Sequence, residues 1–226
     1  CLYEQSLHYI EKELIMSKTL IIGASGQIGK LTTKLLLERQ HPVVALVRDK
    51  SKLDDLNSDY LTIVEQDLEN DFSDALRGCD HIIFAAGSGG NTGADKTLLI
   101  DLWAATKAIN YAKEHAAKHF TMVSSIGADD PDAIQSDLKP YLVAKHMADR
   151  HLINSGLNYT IVRPGSLTNE SASKLISTER PKDRDKAIIS RENVAHVLFT
   201  IATEQGSNRC IFEVFDGDKP IKAAIK

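Results

Sequence analysis

Residues 20–31 read LIIGASGQIGKL: an apolar run breaks into three glycines spaced three apart, Gly23, Gly26 and Gly29, and then turns helical. A corner so poor in side chains is either strand-to-helix punctuation or a cradle for phosphate. In the second case each glycine has a task. The first allows a sharp turn, the second lets a diphosphate approach the backbone, and the third lets helix and strand pack closely. The backbone around Ser25, Gly26, Gln27 and Ile28 would then face the phosphates, with the positive end of the helix dipole behind it.

The rest of the chain decides between the two. It has 226 residues, 42% of them hydrophobic, enough for a substantial core in one large α/β domain or two small ones. Net charge is −4 and no Lys/Arg run stands out, which argues against nucleic acid or an anionic membrane as the main partner. No stretch has the apolar length of a membrane span. The three cysteines, Cys1, Cys79 and Cys210, are far apart and odd in number. That argues against a disulfide framework or a zinc site and fits a reducing, cytoplasmic setting. The eight histidines show no pairing with Cys or Asp at metal-ligand spacing, so no metal is expected. Residues 1–15 are too charged for a signal peptide and read as an N-terminal extension, leaving residues 16–226 as one domain.

From Ser17 onward, short β-branched runs alternate with longer segments of helical spacing. Strands are expected at 19–22, 43–47, 61–64, 81–85, 120–123, 159–162 and 211–215. Helices are expected near 27–39, 49–57, 72–77, 95–117, 140–155 and 191–204, the fifth ending on the Gly156 cap. Strands separated by helices need crossovers. The fold class is therefore α/β, a doubly wound parallel sheet, Rossmann-like, with helices on both faces. Residues 169–186, crowded with polar side chains, read as a mobile loop. Its cations Lys174, Arg180, Lys182 and Arg184 read as solvated, with a lid as the alternative. Trp103 and Tyr111 on the long fourth helix read as packing residues.

In this alternating chain the glycines sit at the first strand-helix corner, which favours a dinucleotide. At the end of the second strand, where an acid would hold a ribose 2′-hydroxyl, stands Arg48. A guanidinium there suits a 2′-phosphate through a charge-assisted contact, so NADP is favoured over NAD, although Asp49 could neutralise it. Asp67 and Leu68 follow the third strand, where an Asp side chain and the next N–H can meet an adenine edge. Ala85, Ala86 and Gly87 follow the fourth, small enough for a nicotinamide ribose to lie against the backbone. All three corners line the carboxyl edge of the sheet, where ligands bind in such folds.

The most chemical stretch is YLVAK, with Tyr141 and Lys145 four apart on one helix face. A nearby cation favours the phenolate and makes the phenol a usable proton donor to a carbonyl. The fifth strand ends in Ser124 and Ser125. Ser125 reads either as a hydrogen-bond donor to the substrate oxygen or as a cap for the next turn.

With GASGQIG, Arg48, QDL, FAAGSGGNTGADKT, MVSSIGA, YLVAK and SGLNYTIVRPGSL in place, the chain resembles the atypical, NAD(P)H-binding members of the short-chain dehydrogenase/reductase superfamily over residues 18–217. The resemblance implies NADP held at Gly23, Gly26 and Gly29, Tyr141 as proton donor or acceptor, and Lys145 binding the nicotinamide ribose while tuning Tyr141. It also implies that Ser125 orients the substrate and that the backbone near Pro164 lies close to the nicotinamide. A catalytic asparagine that many relatives carry on the fourth helix has no clear counterpart: Asp101 lies in the relevant region and Asn110 is too far along. After Gly165 too little chain remains for the large lobe of relatives acting on nucleotide sugars. The expected function is an NADP(H)-dependent oxidoreductase acting on a small carbonyl or conjugated substrate, oligomeric state open. The alternatives are a non-catalytic NADP-sensing protein and a flavin reductase.

Overall fold

The computed structural model describes residues 17–90, 92–133, 137–204 and 209–225; the extension expected over residues 1–15 lies outside them. The first half of the chain builds β1 (Thr19–Ile22), α1 (Gln27–Glu38), β2 (Val43–Val47), β3 (Leu61–Glu65) and β4 (His81–Phe84). The helix α2 follows over residues 94–114: an α-turn Ala94–Lys96, a π-helical stretch Thr97–Ala104 and an α-helical stretch Ala105–Glu114. Next come β5 (His119–Val123), α3 (Lys139–Asn154), β6 (Tyr159–Pro164), β7 (Ser166–Thr168) and β8 (Leu175–Ser177). The chain closes with β9 (Ile188–Ser190), α4 (Arg191–Thr203), β10 (Cys210–Asp216), β11 (Lys219–Pro220) and α5 (Ile221–Ala224).

Seven strands pair in parallel in the order β3-β2-β1-β4-β5-β6-β10, as the alternating pattern predicts. The chain winds outward from β1 to β3 on one side and from β4 to β10 on the other. The order reverses between β1 and β4, which opens a crevice at their carboxyl ends. Strands β1, β2 and β4 are buried along their whole length, which is why they read as unbroken apolar runs. Alternate residues serve opposite layers. Leu20 and Ile22 join Ala105, Ala108 and Ile109 of α2 and Leu152 of α3 on one face. Ile21 joins Leu36 of α1 and Val194, Val197 and Leu198 of α4 on the other.

Several expectations need correcting. The helices expected near 49–57 and 72–77 are single 3-10 turns, Lys50–Leu53 and Ser73–Leu76, too short to cross the sheet. The β8 and β11 strands add an antiparallel edge beyond β10, and β7 pairs with β9 apart from the main sheet. Residues 169–186 are therefore partly strand. Arg180 is not solvated alone: it forms ion pairs with Asp129 and Glu213. Tyr111 packs edge-on against Phe72 at 5.1 Å, but Trp103 is 54% exposed and is not a core residue. Among the described residues no helix is long and apolar enough to cross a membrane.

The amino-terminal edge of the sheet carries a row of His–Thr hydrogen bonds linking neighbouring strands. His81 Nε2 lies 2.7 Å from Thr121 Oγ1, His119 Nε2 3.0 Å from Thr160 Oγ1, and His41 Nε2 2.8 Å from Thr19 Oγ1. Burial pushes His81 down to about 3, helped by the neighbouring charges of His119 and His41; burial lowers those two as well. In the unfolded chain His81 would take a proton near pH 6.5, while the folded chain refuses it until about pH 3. Stability is therefore lost as pH falls through that window, at about 1.4 kcal/mol per pH unit for one proton. Urea unfolding at pH 7.5 and pH 5 is expected to show a loss of about 2 kcal/mol from His81 alone, with a flatter acid slope in His81→Asn. An identical slope in the two proteins would contradict the assignment.

Candidate functional site

The site begins where β1 stops. Gly23 turns the chain at φ +87°, and a Cβ on it would stand 2.7 Å from the backbone N and Cα of Ala86. A Cβ on Gly29 would stand 2.3 Å from the Gly23 carbonyl oxygen. The first corner thus touches the corner after β4 on one side and the first turn of α1 on the other, and only hydrogen fits at either place. Helix α4 satisfies its first turn with Ser190, whose Oγ accepts from the Asn193 amide at 3.0 Å. Helix α1 starts after Gly26 with no capping side chain and no acidic residue in its first turn. Its amides and the positive end of its dipole are left to the crevice.

A cavity of about 390 Å³ lies over this corner. Gly23, Ser25 and Gly26 line one part of it, Ala85, Ala86 and Gly87 another, and Asp67 and Leu68 a third. Arg48 lines it too, joined by Lys52, which the sequence reading missed. Asp49 turns mainly to Ser51, with smaller contributions from the nearby charges of Lys52 and Arg48. Its carboxylate accepts from the Ser51 hydroxyl at 2.6 Å and the Ser51 amide at 3.1 Å, contacts that hold it below the usual carboxylate range. Asp67 accepts from the Glu69 amide at 2.9 Å, and Lys107 Nζ donates to the carbonyls of Leu68 and Asn70, fastening that turn to α2. Gly29 does not line this cavity; its part is the close helix-strand approach.

A second cavity of about 820 Å³ continues from the first, sharing Gly26 and residues 85–88 with it. Gln27, Ile28, Ser125, Tyr141, Lys145 and Pro164 all line it, so every other residue expected at the site falls on one groove along the carboxyl edge of the sheet. Lys145 is 3% exposed, and its Nζ stands 5.7 Å from the centre of the Tyr141 ring. It donates to the Val123 carbonyl at 3.1 Å and lies 3.1 Å from Asp101 Oδ1. Burial alone would lower this lysine, but the attraction of Tyr141, Asp101 and Asp149 outweighs it and holds the group above its ordinary value. It is an ammonium at neutral pH.

The sequence offers Asp101 only as a residue in the region of the missing asparagine. A buried acid inside the apolar run LLIDLWA needs a partner, and that was the available signal. The π-helical stretch carries it to the cavity wall, where Oδ2 accepts from the Ser88 amide at 3.0 Å. Ser125 is half-buried, with its hydroxyl turned to the Ile126 carbonyl at 3.1 Å. The neighbouring Ser124 is the anchored one: it donates to Asp149 Oδ2 at 2.9 Å, the same oxygen that Arg163 Nη2 reaches at 3.0 Å. Burial pushes Asp149 up against the opposing pull of Arg163 and Ser124. Asn110 lies apart, paired with His151 at 2.8 Å.

A family model described as NAD(P)H-binding matches residues 23–205. A Bacillus subtilis protein named an uncharacterized sugar epimerase is 41% identical over 213 residues, covering 92% of this chain and 99% of its own. A solved structure from Bacillus halodurans, provisionally named an NAD-dependent epimerase/dehydratase, aligns with a TM-score of 0.86 at 40% identity, covering 92% of this chain and 98% of that one. An oxidoreductase structure from Lactococcus lactis aligns with a TM-score of 0.82 at 29% identity, covering 92% and 94%.

The glycine corner can be tested through packing. In Gly29→Ala the new methyl meets backbone rather than a yielding side chain, and the loss expected in urea unfolding is about 1–3 kcal/mol. An unchanged midpoint would show that α1 does not depend on this approach.

Proposed function

The chain belongs to the NAD(P)H-binding family, within the atypical short-chain dehydrogenases/reductases, and from that premise we propose that it is an NADPH-dependent oxidoreductase acting on a small carbonyl or conjugated substrate. The observation that carries this reading is the continuity of the groove, from the glycine corner to the Tyr141–Lys145 pair. The residues fit a dinucleotide. The notch beside Gly23 and Gly26 lacks side chains, and the uncapped start of α1 suits a diphosphate. Arg48 and Lys52 supply cations where a 2′-phosphate would lie, which favours NADP over NAD.

A reduced nicotinamide in the second cavity would supply hydride to an electrophilic carbon. Tyr141 gives its phenolic proton to the substrate oxygen as charge develops there. Lys145 steadies that charge from beneath the ring and offers an N–H toward the ribose. Ser125 holds the same oxygen once its hydroxyl turns from the Ile126 carbonyl toward the cavity. Leu138 and Leu142 contribute apolar wall, which suits a substrate with an apolar body.

The names of the two Bacillus relatives favour a second reading, epimerisation. There Tyr141 would take up a hydroxyl proton and return it, with no net consumption of cofactor. Absorbance at the reduced-nicotinamide band over a panel of carbonyl acceptors separates the two. Net NADPH oxidation is expected, with kcat falling by about 10²–10⁴ in Tyr141→Phe while the nucleotide Kd stays put. Arg48→Asp is expected to weaken NADPH about 10- to 100-fold and leave NADH little changed. Unaltered turnover in Tyr141→Phe would remove the phenol from the mechanism, and an unaltered NADPH Kd would remove Arg48 from the cofactor site.

A further inference from the structure

A guanidinium grips a carboxylate well along its Nε–Nη2 edge, where two parallel N–H groups match the oxygens. Arg163 gives that edge to Asp149, with Nε at 3.1 Å and Nη2 at 3.0 Å. Arg180 gives it to Glu213, one nitrogen to each oxygen. Arg191, the first residue of α4, does neither. Its Nη1 donates to the Leu167 carbonyl at 3.2 Å and to Asn169 Oδ1 at 2.8 Å, two neutral acceptors. Among the described residues its Nε and Nη2 have no hydrogen-bond partner, and no carboxylate stands at ion-pair distance. Neutral oxygens orient this cation and leave it without a counter-charge.

Arg191 lines the second cavity, and so does Tyr141, from the opposite layer. Helix α3 packs through Ala148 and Leu152 into one core, and α4 packs through Val194 and Val197 into the other. A ligand lying over the carboxyl edge of the sheet can therefore meet the phenol with one end and the guanidinium with the other. Ile126, Leu142 and Leu167 give the same cavity apolar surface. Of its other charges, Lys145 is paired with Asp101, and Asp137 is exposed in the turn before α3, where water screens it. Arg191 also borders a third cavity of about 510 Å³. An anion entering there would face Asp55, Glu170 and Glu192 as well as Lys30 and Lys34, so the second cavity is the better receiver.

We propose that Arg191 determines specificity: its Nε–Nη2 edge receives a carboxylate, and the substrate is a small carbonyl compound carrying that carboxylate on an apolar body. The inference rests on the oxidoreductase reading for the carbonyl, and on Arg191 for the anion. The carboxylate takes no part in hydride or proton transfer. It fixes the end of the substrate remote from Tyr141. A neutral carbonyl compound would cover the guanidinium without pairing it, which places it at a disadvantage.

The test titrates NADP-saturated protein with benzoate and with benzamide, which share a ring and differ in charge. Wild type is expected to bind benzoate about tenfold more tightly. The Arg191 Nε–H resonance, identified by its loss in Arg191→Lys, is expected to move with benzoate alone, and the amides of Ser125 and Ile126 with it. In Arg191→Gln, whose amide can still donate to the Leu167 carbonyl, the preference is expected to vanish while the NADP Kd is little changed. NADPH oxidation should follow suit: kcat/KM for 4-carboxybenzaldehyde over benzaldehyde is expected near tenfold in wild type and near one in Arg191→Gln. Equal affinities in wild type, or a preference that survives in Arg191→Gln, would overturn the proposal. A loss of NADP affinity in Arg191→Gln would assign the edge to a cofactor phosphate and overturn it as well. So would movement at Leu31 and Leu56 in place of Ser125 and Ile126, which would put the anion in the third cavity. If neither aldehyde is turned over, the oxidoreductase reading alone is weakened, and the benzoate titration still decides the anion site. If Arg191→Gln does not fold, the wild-type Nε–H resonance decides: movement with benzoate alone supports the assignment, and movement with both probes or neither overturns it.

Discussion

Two backbone corners press together at the middle of the sheet, and the architecture of the groove follows from that contact. Gly23 after β1 meets Ala86 after β4 with no room for a side chain between them. The close approach brings the carboxyl ends of β1 and β4 level at the point where strand order reverses. Gly29 repeats the device one helical turn later, drawing α1 against the Gly23 carbonyl. What remains above is a notch walled by amides. A bulkier residue at Gly23 would part the two strand corners, and one at Gly29 would push α1 off the Gly23 carbonyl.

Buried charge sets the other end of the groove. Asp101 with Lys145 in the groove wall, and Asp149 with Arg163 behind it, take four ionic side chains largely out of water. Such pairs cost much desolvation and return little net stability, so their worth lies in fixing geometry. Each pair ties α3 to a different neighbour. Lys145 reaches α2 through Asp101 and β5 through Val123, while Asp149 reaches β6 through Arg163 and the end of β5 through Ser124. The helix bearing Tyr141 is therefore held in rotation and height by polar contacts that would break if it slipped. The cofactor corner is built from missing side chains, and the chemical corner from paired ones.

How much of this was legible in the sequence follows from how local each signal is. The glycine spacing and the Tyr141–Lys145 spacing are each contained in a short stretch of chain, and Gly23, Gly26, Tyr141 and Lys145 line the groove. Strands 19–22 and 43–47 announce themselves because full burial makes them uniformly apolar. The segment after Arg48 misled because its helical composition is cut short: Asp49 caps one 3-10 turn and the chain leaves for β3. Asp101 and Lys145 are 44 positions apart, and nothing in either stretch names the other. The π-helical register that aims Asp101 cannot be seen in a pattern built on 3.6 residues per turn. The antiparallel edge of β8 and β11 is likewise a tertiary matter, made of strands of 3 and 2 residues.

The central claim is that the notch beneath β1 receives a dinucleotide's diphosphate on backbone amides. The most direct measurement is a set of backbone amide spectra of the isotope-labelled protein during titration with NADP. The account predicts the largest displacements at Ser25, Gly26, Gln27 and Ile28, with Leu68 and Ala86 following at the same ligand concentration. Resonances that stay in place at those amides up to millimolar nucleotide, or that move only elsewhere, would contradict it.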